Sequence, residues 1–176
     1  MKGIPQPDEE MKPNSVKETW KEVAEALQKQ LPGYSALEMI DHISEEFPQI
    51  LCHRKDLSEI LYCLAENAIQ AMRKRGKLII RASLGFRADG AVAYIAVADT
   101  GPGISEETLH CLFEPFVTTK VPGMGNGLGL CIVKALVRKN NGSISVSSFK
   151  GCGTTVTMTF PVAKACGQRE RVLLAS

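Results

Sequence analysis

Three short stretches of this chain combine residue types that can do chemistry with a spacing that can aim them. Asp99-Thr100-Gly101-Pro102-Gly103-Ile104 follows a run of apolar β-formers. It puts a carboxylate at a strand end, just before glycines that can take φ > 0 and let a ligand approach the backbone. Taken alone, an Asp-x-Gly at a strand end also describes an ordinary turn. Gly123-Met124-Gly125-Asn126-Gly127-Leu128-Gly129-Leu130 places glycines at alternate positions and runs straight into helix formers. Unobstructed N–H groups at a helix N-terminus cradle an anion such as a phosphate. Glu66-Asn67-Ala68-Ile69-Gln70-Ala71-Met72 sets an amide beside an apolar helix stripe. A buried amide needs a partner. An Mg2+ ion carried by a nucleotide suits its oxygen, because this ion takes few protein ligands and completes its shell with phosphate and water. The glycine patterns match neither GxxxxGK[ST] nor a strand-coupled GxGxxG, so P-loop and dinucleotide-binding readings fail on spacing.

The elements that must hold these groups follow from periodicity. Ser15 with Glu18 forms a capping box, and Val16, Trp20, Val23, Ala24 and Leu27 recur at helical spacing, which predicts a helix ending at Leu31 before Pro32-Gly33. Ala36–Ile43 and Ile50–Cys52 read as strands. From Asp56, the residues Leu57, Ile60, Leu61, Leu64, Ala65, Ala68, Ile69 and Met72 mark a long amphipathic helix that Gly76 closes, with Asn67 beside its apolar stripe. Lys77–Phe86 and Ala91–Ala98 read as a hairpin about Arg87-Ala88-Asp89-Gly90. Ser105 caps a short helix, Leu128–Asn140 is a helix ended by Asn141-Gly142, and Ser143–Ser148 and Thr154–Pro161 are the last strands. Successive hairpins, without regular βα alternation, imply an α/β two-layer sandwich. Its sheet is mixed and mostly antiparallel, of about five strands, with three main helices on one face. Residues 1–14 read as a linker, 15–162 as one domain and 163–176 as a flexible tail.

Composition sets the limits. The chain has 176 residues, 44% of them hydrophobic and 23% charged, with Lys+Arg 21 against Asp+Glu 19. That is one ordinary globular domain, neither disordered nor basic enough to suggest a nucleic-acid partner. No apolar run approaches the ~20 residues of a membrane span, and no signal-peptide core opens the chain. Cys52, Cys63, Cys111, Cys131, Cys152 and Cys166 show no CxxC pair, and with His42, His53 and His110 they form no metal-binding spacing. Buried thiols in a reducing cytoplasm are expected, with no membrane contact by this chain.

In this order the stretches resemble the ATP-binding boxes of the GHKL superfamily. Leu61–Met72 resembles the N box, Asp99–Ile104 the G1 box, Leu112–Lys120 (LFEPFVTTK) the F box and Gly123–Leu130 the G2 box. The run from LFEPFVTTK into GNGLGLCIVK is most similar to the catalytic domains of sensor histidine kinases of the nitrogen-regulation type. The resemblance covers residues 15–161. It implies the Bergerat ATP-binding fold, ATP and Mg2+ as ligands, and transfer of the γ-phosphate to a histidine on a separate dimerisation domain and then to a response-regulator aspartate.

It also implies roles. Asp99 accepts the adenine amino group, Gly101 and Gly103 let the backbone pass close to the purine beside Ile104, and Asn67 holds Mg2+. Gln70 and Ala71 line the nucleotide site on the same helix. Phe113 and Phe116 anchor the root of a lid over residues 114–126, in which Thr118, Thr119 and Lys120 lie near the phosphates, Lys120 and Asn67 being the catalytic pair. Gly125, Gly127, Leu128, Gly129 and Leu130 form the phosphate-facing turn. Thr154 or Thr155, in GCGTTVTMTFP, reaches the water network at adenine.

Two departures from the pattern stand out. Four residues before Asn67, sensor kinases carry another Asn and ATP-hydrolysing relatives a Glu, where this chain has Cys63. A thiol is a poor Mg2+ ligand and a poor base for water. The phosphoacceptor of these kinases sits on an upstream helical hairpin, as His followed by an acidic residue and Pro. None of His42, His53 and His110 has that setting, so all three read as structural or surface residues, and residues 1–14 as the linker from such a hairpin. The rival readings are a stand-alone serine kinase of the anti-sigma type and a nucleotide-binding module with little transfer activity.

Overall fold

The computed structural model describes residues 10–30, 36–73, 75–88, 90–114 and 128–163. In chain order its elements are β1 (Lys12–Asn14), α1 (Val16–Gln30), β2 (Leu37–His42), β3 (Ile50–Cys52), α2 (Arg54–Ala71), β4 (Gly76–Arg87), β5 (Gly90–Asp99), α3 (Glu106–Cys111), α4 (Gly129–Lys139), β6 (Ser143–Phe149) and β7 (Gly153–Pro161). One sheet runs β2-β4-β5-β7-β6, and β1 and β3 form a separate two-stranded ribbon. Among the described residues only the β2–β4 pair in the large sheet is parallel; β4–β5, β5–β7 and β6–β7 are antiparallel.

Alternation decides which sheet face is covered. Leu78 and Ile80 of β4, Ala93, Ile95 and Val97 of β5, and Val156, Met158 and Phe160 of β7 all turn to one face and are buried. There they join Trp20, Val23 and Leu27 of α1, Leu57, Ile60, Leu61, Leu64 and Ile69 of α2, and Val133 and Val137 of α4 in a single core. Each buried Val, Leu, Ile, Phe or Met among them contributes about 1.5–3 kcal/mol by leaving water. The mixed two-layer sandwich expected from the hairpin pattern is the fold observed. Among the described residues no helix is long and apolar enough to cross a membrane.

Local signals were followed where capping chemistry was explicit. Ser15 Oγ accepts from the Glu18 N–H at 3.2 Å, and Ser105 Oγ accepts from the Thr108 N–H. At the end of α4, Asn141 takes φ 57 and the Gly142 N–H returns to the Val137 carbonyl at 2.9 Å. The stop of α2 differs from expectation. The helix ends at Ala71, the Met72 N–H bonding Ala68 O at 3.0 Å, and Arg73 takes the left-handed conformation that a glycine was expected to supply. Gly76 instead opens β4, because its N–H is already engaged by Ala36 O beside β2.

Residues 12–14, read as part of a linker, form β1. They carry no apolar alternation; the Asn14 carboxamide ties them down by donating to Cys52 O and Lys12 O, both at 2.9 Å. The tail begins equally attached, with the Ala163 N–H on Gln49 O at 2.8 Å; residues 164–176 lie outside the described residues.

Helix α4 runs antiparallel to α2, and a polar cluster fixes one end of the pair. Asn140, fully buried, accepts at Oδ1 from the His53 N–H (2.7 Å) and from His53 Nδ1 (2.9 Å). It donates from Nδ2 to Asp56 Oδ2 (2.9 Å) and Leu136 O (2.8 Å). Lys139 Nζ closes on Asp56 Oδ2 at 3.0 Å. An amide oxygen cannot donate, so Nδ1 of His53 carries the proton. His53 is thus the structural residue the sequence suggested, while His42 lies in β2 and His110 in α3.

Candidate functional site

At the other end of α2 the chain brings together groups far apart in sequence. Asp99 is the last residue of β5, opposite Thr154 of β7, and Thr154 is in turn opposite Ser148 of β6. All three side chains share the helix-covered face of the sheet. Asp99 Oδ1 accepts the Gly101 N–H at 2.8 Å. Burial pushes the Asp99 carboxyl above its usual 3.8, and backbone N–H bonds from Gly101 and Thr154 pull partly against that shift. This carboxylate is therefore aimed by main chain.

The backbone must come close for that to happen. At Gly153, with φ +91, a Cβ would overlap the Asp99 carbonyl oxygen, and at Gly103, with φ +70, it would overlap the Phe149 carbonyl oxygen. Both positions need glycine twice over, for conformation and for space. At Gly101 a Cβ would stand 2.7 Å from Asp99 Oδ1 and 3.3 Å from Met72 Cγ, so the glycine loop lies directly against the end of α2. The Thr100 hydroxyl locks the start of that loop to β4 by accepting the Lys77 N–H at 2.9 Å.

One turn up α2, the Asn67 amide donates from Nδ2 to Cys63 Sγ at 3.5 Å. A Cβ at Gly129, the first residue of α4, would stand 3.0 Å from that sulfur and 3.3 Å from Asn67 Nδ2. The first turn of α4 thus meets Asn67 because position 129 has no side chain. Leu128 is the N-cap residue, and Leu130 packs on the core. The Phe113 ring, at the end of the described stretch after α3, lies 5.0 Å from Lys134 Nζ of α4. Gln70 and Ala71 are exposed on the last turn of α2, and Glu66 is exposed one residue before Asn67.

Among the sequence-derived candidates, the structure draws Asn67, Gly129, Gly101, Asp99 and Thr154 around the C-terminal half of α2. Thr155 is paired with Ala98 and Ser147 on the opposite sheet face, so of the two threonines it is Thr154 that stands beside Asp99. Ile104 joins the cluster through its N–H, which donates to Ser148 Oγ at 2.8 Å. Phe116, Thr118, Thr119, Lys120, Gly125 and Gly127, and the lid of residues 114–126 beyond Glu114, lie outside the described residues.

The family model described as histidine kinase-, DNA gyrase B- and HSP90-like ATPase matches residues 52–164. The chain belongs to this family. Its similarity to sensor histidine kinase ZraS of Escherichia coli (strain K12) is 37% identity over 119 residues, 68% of this chain and 24% of that protein. To sporulation kinase D of Bacillus subtilis (strain 168) it is 37% over 124 residues, 70% of this chain and 23% of that protein. The chain therefore spans about a quarter of the length of these relatives.

Among solved structures, full-length ShkA in complex with AMPPNP superposes with a TM-score of 0.74 at 30% identity, covering 89% of this chain and 32% of that one. The catalytic domain of histidine kinase ThkA superposes with a TM-score of 0.74 at 24% identity, covering 88% of this chain and 97% of that one, a likeness of fold. The matched span takes in Asn67, Asp99, Gly129 and Thr154 and leaves β1, α1 and β2 ahead of it.

Sequence reasoning missed Ser148, Gly153 and Lys134. Ser148 could have been found from register, since a serine at an inward-facing strand position needs a partner. Gly153 has its signal in the turn FKGCGT, where the second glycine begins a strand. Lys134 has none, because a cation over a ring depends on how α4 packs.

Proposed function

We propose that this chain is the ATP-binding catalytic domain of a sensor histidine kinase, acting in the cytoplasm, with a folded unit that takes in β1 and Ala163 as well as residues 15–162. It binds ATP with Mg2+ and presents the γ-phosphate to a histidine of a separate dimerisation domain, from which the phosphoryl group passes to an aspartate of a response regulator. The observation that carries the reading is the convergence on one half of α2 of an aimed carboxylate, a carboxamide and the glycine-bearing first turn of α4.

Each residue has a physical task in this proposal. Asp99, held by the Gly101 N–H, accepts the adenine amino group, and Thr154 stands next to it. Gly101 and Gly103 admit the purine. The first turn of α4, Leu128–Leu130, offers N–H groups and its dipole to the phosphates. The resemblance assigns the phosphates also to Thr118, Thr119, Lys120, Gly125 and Gly127, which with Phe116 lie outside the described residues.

Asn67 would hold Mg2+ through one hard oxygen, with phosphate and water as the other ligands, and the bound ion would supply charge neutralisation for the transfer. Among the described residues no three His, Cys, Asp or Glu side chains converge as a metal site, so such an ion arrives with the nucleotide. In the transfer, the lone pair of the histidine ring nitrogen forms the P–N bond while the β–γ bridging P–O bond breaks and ADP leaves.

Cys63 favours a second reading, a nucleotide-binding module with little transfer, since its sulfur stands beside Asn67 where a hard ligand would strengthen metal binding. One experiment separates these and the serine-kinase rival. The chain is incubated with γ-labelled ATP and, in parallel, with a histidine-bearing helical hairpin domain or a serine-bearing antagonist protein. Acid-labile label on the hairpin is the expected result. Acid-stable label on the antagonist would indicate a serine kinase, and tight nucleotide binding with no labelled acceptor a sensing module.

A further inference from the structure

Ser148 has a hydroxyl whose three hydrogen-bonding positions can all be assigned. A serine hydroxyl owns one proton and two lone pairs. Its oxygen lies 2.9 Å from the Gly153 carbonyl, which can only accept, so the proton goes there. The Ile104 N–H, which can only donate, reaches the same oxygen at 2.8 Å. The remaining neighbour, Thr154 Oγ1 at 3.0 Å, is then bonded only if Thr154 supplies the proton.

This chain of donors fixes the Thr154 hydroxyl with its hydrogen toward Ser148, and only lone pairs are left for any further partner. Thr154 is the residue opposite Asp99 in the β5–β7 ladder, with Cβ atoms of such a pair about 4.5–5.5 Å apart. Two acceptors side by side, a carboxylate and a polarised hydroxyl oxygen, match an exocyclic amino group and the water that accompanies it. They disfavour a carbonyl at the same ring position.

Resting on the nucleotide-binding reading above, we propose that Ser148 is a positioning residue that locks the Thr154 hydroxyl as an acceptor and so sharpens the preference for a 6-amino purine over a 6-oxo purine. Ser148 does not touch the base. It acts through Thr154, and through Ile104 it also ties the glycine loop to β6.

The test compares ADP with inosine diphosphate, which exchanges the 6-amino group for a carbonyl, by calorimetric titration in Mg2+. Binding of ADP to the unaltered chain tests the nucleotide-binding reading, and its absence would overturn that reading and this proposal together. Given ADP binding, Ser148→Ala frees the Thr154 rotor, and the ADP-to-IDP affinity ratio is expected to fall ~3–10-fold, the range for losing one oriented hydrogen bond. Ser148→Thr, which keeps the hydroxyl, should restore the ratio. In a Thr154→Val background, Ser148→Ala should leave the ratio where Thr154→Val alone puts it. Equal losses for ADP and IDP in Ser148→Ala, or a further change of ratio in the Thr154→Val background, would overturn the proposal while leaving nucleotide binding intact. If Ser148→Ala does not fold, Ser148→Cys substitutes a weaker acceptor and is read by the same ratio.

Discussion

Helix α2 has a polar cluster at each end, and the two differ in what they leave unspent. At its N-terminal end Asn140 makes two bonds as acceptor and two as donor, which is all an amide can make, and every one is to protein. At its C-terminal end the Asp99 carboxylate accepts the Gly101 N–H at 2.8 Å, while a carboxylate has about four acceptor positions. Both clusters are rich in Asp, Asn and backbone amides, so polarity alone does not distinguish a brace from a binding site. Residual hydrogen-bonding capacity, held in a fixed direction, does.

Exchanging single atoms at the two ends should dissociate binding from stability. The largest effect is expected for Asp99→Asn, which exchanges one carboxylate acceptor for an amide donor. Nucleotide binding should fall below detection by calorimetry with the circular dichroism spectrum unchanged, and unaltered affinity would break the site assignment. Asn140→Ala should do the converse. It leaves Asp56 and the His53 main chain without their buried partner, at a cost of about 2–4 kcal/mol in chemical denaturation, while the folded fraction keeps its ADP affinity within ~3-fold.

The pH response sharpens the contrast. Burial raises the folded-state pKa of Asp99 above 3.8, so this group favours folding below its unfolded value and loses that contribution as pH rises through the folded one. The melting temperature of Asp99→Asn relative to the unaltered chain should therefore increase from pH 4 to pH 7. ADP affinity of the unaltered chain should rise over the same acid range as the carboxylate ionises. A flat difference in melting temperature would remove the desolvation argument.

A smaller effect belongs to Gly129→Ala. Its methyl must push against Cys63 Sγ at 3.0 Å and Asn67 Nδ2 at 3.3 Å, which should weaken ADP binding ~3–10-fold with little change in stability. The smallest is Lys134→Met, which removes the cation over Phe113 for a loss of about 0.5–1 kcal/mol.

The sequence showed most clearly those features whose cause is local. Ser15 with Glu18, the Asn141-Gly142 stop and the alternation through β4, β5 and β7 are written within a few residues of where they act, and each was found where expected. Asp99, Asn67 and Gly129 were singled out by the order of four motifs that resemble the GHKL boxes; taken singly, a strand-end Asp-x-Gly also describes an ordinary turn. What escaped depends on partners distant in the chain. β1 forms because Asn14 reaches Cys52, Gly76 is held by Ala36 rather than by the helix before it, and Ser148 acquires its role only when β6 and β7 align. The choice between Thr154 and Thr155 was likewise a matter of register, which shifts every side chain to the other face when it moves by one residue.

The loss of a side chain at Gly153, which lets β7 lie against the Asp99 carbonyl, bears on how freely this protein can vary. A recognition group oriented by side chains is re-aimed whenever one of them changes. One oriented by main chain persists as long as the strands stay paired. Most side chains of the turn between Phe149 and Gly153 can thus change without moving the Asp99 carboxylate. At that turn the backbone resists a side chain at Gly153, where φ is +91 and a Cβ would meet the Asp99 carbonyl, and at Gly151, where φ is +84.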